Sequence, residues 1–332
     1  MSEQVTDEAE NQENSGLADN FEQMVGQRSL RMDAFERLIR NKAAMMGLFI
    51  SVFMVFVGLF GPFFAPYDHL DIDLQRVHET PTTDHWLGTD LLGRDMLSRI
   101  MHGGRTAVFV AFVVIVISVG LGTLFGAIAA FAGGFIDDLI MRIMDGFYSF
   151  PELLLAAFIY AVVRRPVEGF MTSIYDNVVA WDILKQTLYV DYAMVFGALA
   201  LISVPGYARM IRGQIISLRE RDFIRAERAL GVPNRQILTK HLIPNAIAPI
   251  VVLATINVGG VMLLESSLSF LGLGIQPPGA SWGNMIAQNL PMWRMYPHVV
   301  LIPGITLAVT VFGFNFLGDG VNDALNPRQI RR

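Results

Sequence analysis

The sequence predicts an all-α membrane protein with about six transmembrane helices. Hydrophobic residues make up 53% of the 332 residues and charged residues only 17%, whereas a soluble domain carries about 25% charged residues. The apolar residues are concentrated in long runs. Because a helix needs about 20 apolar residues to cross a hydrocarbon core of about 30 Å, such runs indicate membrane spans.

Six apolar runs are long enough to be membrane spans. The first transmembrane helix is assigned to 44–66, which is its apolar run with two flanking residues. The predicted apolar stretches are 44–64, 107–131, 147–163, 193–208, 246–264 and 298–317. Glu152 is the one acidic residue of the third stretch. In the second, Gly122, Gly126, Ala130 and Gly134 are spaced four residues apart, which favours close helix packing over a direct role in a transport pathway.

The distribution of cations predicts which side of the membrane each loop faces. The densest basic stretch lies between spans four and five and is therefore placed in the cytoplasm, and counting spans from it places both termini there too. Its cations are Arg209, Arg212, Arg219, Arg221, Arg225, Arg228, Arg235 and Lys240. The outer segments hold fewer cations, but Arg94, Arg99 and Arg105 cluster before span two and are at odds with this assignment.

The regions outside the spans are assigned from the same distribution of apolar and charged residues. Residues 1–27 form an acidic cytoplasmic leader, predicted to be disordered because its apolar content is too low to offset the entropy of ordering. Residues 28–43 are interpreted as a helix on the membrane surface or as an ordinary basic flank. A periplasmic segment covers 67–105. The transmembrane core covers 106–320, with a cytoplasmic loop at 209–247, and a cytoplasmic tail covers 321–332.

Several kinds of chemistry have no motif in this sequence. The chain has no cysteine, which excludes disulfides and thiolate chemistry. None of its three lysines follows a glycine, so the Gly-Lys-Ser/Thr of a phosphate-binding P-loop is absent. Asp68, His69, Asp71 and Asp73 are read as a solvated outer loop rather than as a cation site. The sequence therefore contains no argument for an enzyme or for a cofactor on this chain.

The segment 222–244 carries the strongest functional signal. It reads as two short helices, the first ending near Gly231, a residue type suited to a helix C-terminus. Pro233 suits the first turn of the second helix, and Pro244 is expected to end it by excluding the helical conformation at Ile243. Small residues at its tip, Ala226, Ala229 and Gly231, suit insertion into a groove of a partner.

This segment resembles the EAA loop of binding-protein-dependent ABC importers. Arg225, Ala226 and Glu227 stand at the Glu-Ala-Ala positions, and Ala226, Gly231 and Pro244 match the general pattern. His241 replaces the usual Ile, as is common in the peptide, nickel and opine branch, whereas Glu227 departs from a usual Ala. Further stretches resemble the dipeptide-permease subunit type with the longer N-terminal region. These are 85–95 with Ser98 and Arg99, 133–151, 267–283 and 318–327.

The resemblance implies a type I ABC importer permease fold in the bacterial cytoplasmic (inner) membrane. It implies a second permease subunit, two ATPase subunits that bind ATP and Mg²⁺, and an extracytoplasmic substrate-binding protein, with membrane lipid around the spans and no nucleic acid. Coupling to the ATPases is assigned to Asp222, Arg225, Ala226, Glu227, Ala229, Leu230, Gly231, Asn234, His241 and Pro244.

Other interpretations remain open at this stage. A secondary transporter or channel would place ionisable residues deep in its spans, and the main candidates, Glu152 and Glu265, lie near span ends. A membrane enzyme is disfavoured by the missing catalytic motifs. The substrate is open among peptides, nickel chelates, opines and sugars. Residues 164–192 either carry a short outer helix lined by Trp181, Leu184 and Leu188 or are a passive insertion.

Overall fold

The computed structural model describes residues 30–177 and 187–325, and all regular secondary structure in these ranges is helical. The predicted leader 1–27, the end of the predicted tail, and Trp181 and Leu184 lie outside the described residues. The longer helices are α1 (Leu30–Arg40), α2 (Lys42–Phe64), α3 (Met96–Ala132), α4 (Gly134–Tyr148), α5 (Glu152–Asn177), α6 (Thr187–Arg219), α7 (Asp222–Ala229), α9 (Ile243–Phe270), α10 (Trp282–Asn289) and α11 (His298–Leu325). Short helical pieces are α8 (Asn234–Gln236), a π-helical turn (Ile237–Leu242) and a 3₁₀ turn (Leu290–Met292).

Five of these helices are long and apolar enough to cross a membrane, and α4 with α5 provides a sixth if the pair is one span. The five correspond to predicted spans one, two, four, five and six. The prediction of about six transmembrane helices is therefore confirmed. The chain is a multi-pass membrane protein.

The glycine stripe of span two packs against span four. A Cβ at Gly122 would overlap the side chain of Tyr207, and one at Gly126 would overlap the backbone carbonyl of Ala208. Gly134 is not part of this contact, because the chain turns at Gly133 and Gly134 and α4 begins there. Two small residues thus let α3 and α6 approach to backbone distance, which confirms the packing interpretation for this part of the stripe.

The third span differs from its prediction. A bend of 96° separates α4 from α5, so the apolar run that was predicted to begin at residue 147 is divided between two helices. The carbonyl of Pro151 accepts a hydrogen bond from the Leu155 N–H at 3.0 Å, which starts α5 after the proline. Since a proline disfavours helical geometry in the residue before it, α4 ends ahead of Phe150. Part of the predicted outer segment 164–192 is helical, since α5 runs on to Asn177 and Leu188 lies in α6.

The segment before span two holds a buried cluster of charges. Asp90 is fully buried and accepts hydrogen bonds from the side chains of Arg94, at 2.8 Å, and Arg99. Nearby, the His85 ring contacts Asp95 at 2.9 Å, and Asp95 caps α3 by accepting from the Ser98 N–H at 2.7 Å. Two of the three arginines that disagreed with the charge rule, Arg94 and Arg99, are therefore paired and buried in the folded chain.

Two further polar networks lie at the end of the bundle that holds the Asp90 cluster. Asp191 is buried and contacts Arg164 at 2.9 Å, while the Tyr160 hydroxyl donates to it at 2.8 Å. Glu265, the second ionisable candidate for a coupled transporter, accepts hydrogen bonds from Ser269 at 2.7 Å and Ser281 at 2.8 Å. Glu265 thus ties the end of α9 to the loop that precedes α10, a structural use for this carboxyl group.

The predicted orientation gives a direct test. Reporter fusions after Arg332 and within the predicted outer segment 164–192 are expected to report opposite sides of the membrane, with the C-terminus in the cytoplasm, because the cations of the sequence concentrate in 209–247. The measurement pairs a reporter that is active only in the cytoplasm with one that is active only outside it. Fusions reporting the same side at both positions would contradict the topology.

Candidate functional site

The 222–244 segment is anchored to three spans by one hydrophobic cluster. Ile224, Ile237 and Leu242 are at most 2% exposed. They belong to one cluster with buried apolar residues from the ends of α3, α6 and α9, including Ala130, Tyr207, Ile211, Ile215, Ala246 and Ile250. Because buried side chains pack at near-crystalline density, a displacement of the segment is transmitted to these helices rather than absorbed.

The first arm of the segment ends in a Schellman motif. The Val232 N–H donates to the Glu227 carbonyl at 3.1 Å, and the Gly231 N–H donates to the Arg228 carbonyl at 3.0 Å. Gly231 has φ +76°, in the left-handed region that this motif requires and that glycine adopts without a Cβ penalty. The predicted end of the first helix at this glycine is confirmed.

The second arm does not end at Pro244, and that prediction is wrong. A π-helical turn, Ile237–Leu242, leads directly into α9, which begins at Ile243 with Pro244 in its first turn. The Ile243 N–H donates to the Leu238 carbonyl, five residues back. A wider π turn before the proline, together with the first-turn position where its missing N–H is tolerated, lets the helix continue. The segment is thus continuous with span five.

The remaining predicted residues form an exposed surface. Asp222, Arg225, Ala226, Ala229, Asn234 and Pro244 are exposed. Leu230 is 83% exposed and Phe223 is 44% exposed, so the segment presents two large apolar side chains in addition to small residues. A Cβ at Gly231 would have no neighbour within 4 Å among the described residues. Because the core of a protein interface is commonly apolar, these exposed side chains are suited to contact with a partner.

Glu227 and His241 connect the two arms. The carboxylate of Glu227 lies 3.1 Å from Nδ1 of His241, and their side chains are 20% and 37% exposed. This pair gives a structural role to the residue that departs from the general pattern. It also shows that the two departures from that pattern, Glu227 and His241, contact each other.

We expect Glu227→Ala to leave substrate uptake within about fivefold of wild type, because a partly exposed contact of this kind contributes at most about 1 kcal/mol. The measurement is uptake in the reconstituted complex, with Glu227→Ala, His241→Ala and the double variant compared in a cycle. A coupling energy of several kcal/mol, or loss of uptake in either single variant, would contradict a modest role.

Two sets of contacts that hold this site were not predicted from the sequence. Ile224, Ile237 and Leu242 anchor the segment, and the signal was available as apolar residues within a charged stretch. A second contact is long-range: the Arg212 guanidinium makes a two-point ion pair with Asp137 of α4 at 2.5 and 2.6 Å. Arg209 lies 3.0 Å from Asp145. These cations therefore brace α4 against α6, a role that no local pattern indicates.

Comparison with known families identifies the chain's class. Residues 122–331 match the model of the binding-protein-dependent transport system inner membrane component. Residues 29–81 match the N-terminal transmembrane domain of oligopeptide transport permease C. Residues 82–121 lie between the two matches. The first match includes the whole 222–244 segment.

Relatives of similar length share the sequence almost end to end. The oligopeptide transport system permease protein OppC of Haemophilus influenzae is 37% identical over 94% of this chain and 93% of its own length. The dipeptide transport system permease protein DppC of Alkalihalophilus pseudofirmus is 34% identical over 89% of this chain and 89% of its own length. A putative peptide permease protein of Brucella suis is 38% identical over 88% of this chain and 89% of its own length. This chain therefore belongs to the family of inner membrane components of binding-protein-dependent ABC importers, with the type I permease fold.

Proposed function

We propose that this chain is one of two permease subunits of a peptide importer. In this assembly a similar second permease completes the pathway, two ATPase subunits bind ATP and Mg²⁺, and an extracytoplasmic binding protein delivers the substrate. The names of the relatives support peptides as the substrate class. The absence of a Gly-Lys-Ser/Thr motif supports a chain that contributes no ATPase chemistry of its own.

The observation that carries the proposal is the anchoring of the 222–244 segment. Its exposed tip at Leu230 and Gly231 offers a docking surface, and its buried side shares one cluster with α3, α6 and α9. A movement of a docked ATPase would therefore tilt three spans together. Since packed interfaces switch between discrete arrangements, such a tilt can alternate the pathway between inward-open and outward-open states.

The test uses the complete complex. The chain is expected to co-purify with its ATPase subunits, and peptide uptake into proteoliposomes is expected to require ATP and the binding protein. The isolated chain is expected to show no specific ATP binding at micromolar concentrations. Uptake that proceeds without an ATPase, driven by an ion gradient, would instead favour the secondary transporter.

A further inference from the structure

A cavity of about 640 Å³ opens at the end of the bundle opposite the 222–244 segment. Its walls come from the beginning of α3, the beginning of α6 and the loop at 278–280. Tyr192, in its wall, precedes the end of α6 at Arg219 by 27 residues, which corresponds to about 40 Å of helix. The volume lies within the range of about 300–1,000 Å³ that is typical of small-ligand sites.

One wall of the cavity is aromatic. The rings of Phe109 and Phe196 lie 5.5 Å apart, and Tyr192 lies 6.2 Å from the first and 5.8 Å from the second. The Tyr192 hydroxyl and the Thr106 hydroxyl are 3.1 Å apart. Such a wall presents π faces and apolar edges, with one pair of hydroxyls, to a bound apolar or aromatic group.

Arg105 brings a positive charge to this wall. Arg105 directly precedes Thr106 in the sequence and is exposed. It forms no ion pair with the side chains that the structure describes. Among the described residues that line the cavity none is acidic. Arg105 therefore differs from Arg94 and Arg99, which are buried and paired with Asp90. A guanidinium with no anion beside it in a mostly apolar cavity is suited to a carboxylate.

One of the two histidines of the cavity, His69, does not supply a competing charge. The rings of His69 and His102 are stacked, with their centroids 3.8 Å apart. Burial and the adjacent His102 lower the pKa of His69 from 6.5 to about 4. His69 is therefore neutral near pH 7, and Arg105 is the cation that lies beside the aromatic wall.

We propose that this cavity holds the C-terminal residue of a short peptide on its way into the pathway, with the carboxylate on Arg105 and the side chain against Phe109, Tyr192 and Phe196. This inference rests on the proposed function, since it deepens the peptide substrate class. It assigns to Arg105 a preference for a free carboxylate over a blocked one. The phosphate of an anionic lipid shares this chemistry and is distinguished by the test.

The test uses the absence of cysteine from this chain. Ala193, which is exposed in the cavity wall, is changed to Cys in the complete complex in nanodiscs of phosphatidylcholine, and its labelling by a small maleimide is read on this chain's gel band. Ala-Phe, its C-terminal amide and inorganic phosphate are added directly, without the binding protein. Labelling is repeated in nanodiscs that contain phosphatidylglycerol.

Ala-Phe is expected to slow the labelling, with the amide at least about tenfold less effective, the factor that a charge-assisted hydrogen bond commonly contributes. Arg105→Gln should abolish the difference between acid and amide, Arg105→Lys should retain part of it, and the exposed Arg294→Gln, outside the cavity, should leave it unchanged.

Equal protection by acid and amide, protection by phosphate alone, or protection by phosphatidylglycerol that peptide does not relieve would overturn the proposal. Uptake of Ala-Phe by the same complex with its binding protein is measured in parallel, so uptake without protection rejects only this site, whereas no uptake rejects the proposed function.

Discussion

A reconstituted importer that carries Gly231→Leu is expected to lose about tenfold or more of its ATP-driven uptake while the chain still inserts into the membrane. Gly231 has φ +76°, and a residue with a Cβ costs about 1–2 kcal/mol in this region, where 1.4 kcal/mol is a factor of ten. A Cβ at this position would have no neighbour within 4 Å among the described residues. The loss is therefore expected to come from a changed helix end and from a partner's groove.

Two control variants separate these causes. Asn tolerates the left-handed region, so Gly231→Asn should keep the helix end, and its residual defect measures the steric contribution of the groove. Arg221→Ala, at the edge of the segment, serves as the control because Arg221 is exposed and makes no side-chain capping hydrogen bond. Arg219 is less suitable, since its guanidinium also reaches the Ala130 carbonyl of α3 at 3.4 Å. Wild-type uptake together with normal ATPase recruitment in Gly231→Leu would refute the coupling role.

Asp90→Asn is expected to prevent accumulation of folded protein. Asp90 is fully buried between Arg94 and Arg99, which are themselves 6% and 2% exposed. Removing one partner of a buried ion pair typically costs about 3–5 kcal/mol, because the remaining charge stays buried without compensation. Here two guanidinium groups would lose the same carboxylate, whereas Asn keeps the shape of the side chain.

The effect is measured as the amount of monodisperse chain after detergent extraction and as its thermal unfolding midpoint. Asp84→Asn is the matched control, since Asp84 also pairs with an arginine, Arg76 at 3.2 Å, but at an exposed position. An exposed pair contributes at most about 1 kcal/mol, so this variant should resemble wild type. Equal stability of the two variants would show that the buried cluster is not a structural support.

The sequence predicted the spans well where the signal is an average over many residues. Five of the six apolar runs correspond to single long helices, because transfer into hydrocarbon depends on summed hydrophobicity and not on neighbours. The prediction for the third run was wrong at its beginning, where the bend at Pro151 divides the run between α4 and α5. Gly122 and Gly126 were interpretable from spacing alone, since only small residues allow helix backbones to touch.

The coupling site was predicted in part. The helix end at Gly231 follows from local backbone preference, and the structure agrees. An equally local rule predicted that the helix ends at Pro244, yet the helix continues past this proline after the π turn at Ile237–Leu242. Leu242 is buried against the ends of three spans, and this packing stabilises a backbone geometry that the local sequence disfavours.

The sequence by itself determined the class of the protein, the approximate spans and the exposed motif at 222–244, because hydrophobicity and backbone preference act within a few residues. The tertiary structure decided which charges are free. Arg94, Arg99 and Arg105 are equivalent in sequence, yet the first two are buried on Asp90 and the third lines an open cavity. That difference depends on which side chains the fold brings within hydrogen-bond distance, and electrostatic energy depends on distance and burial rather than on position along the chain.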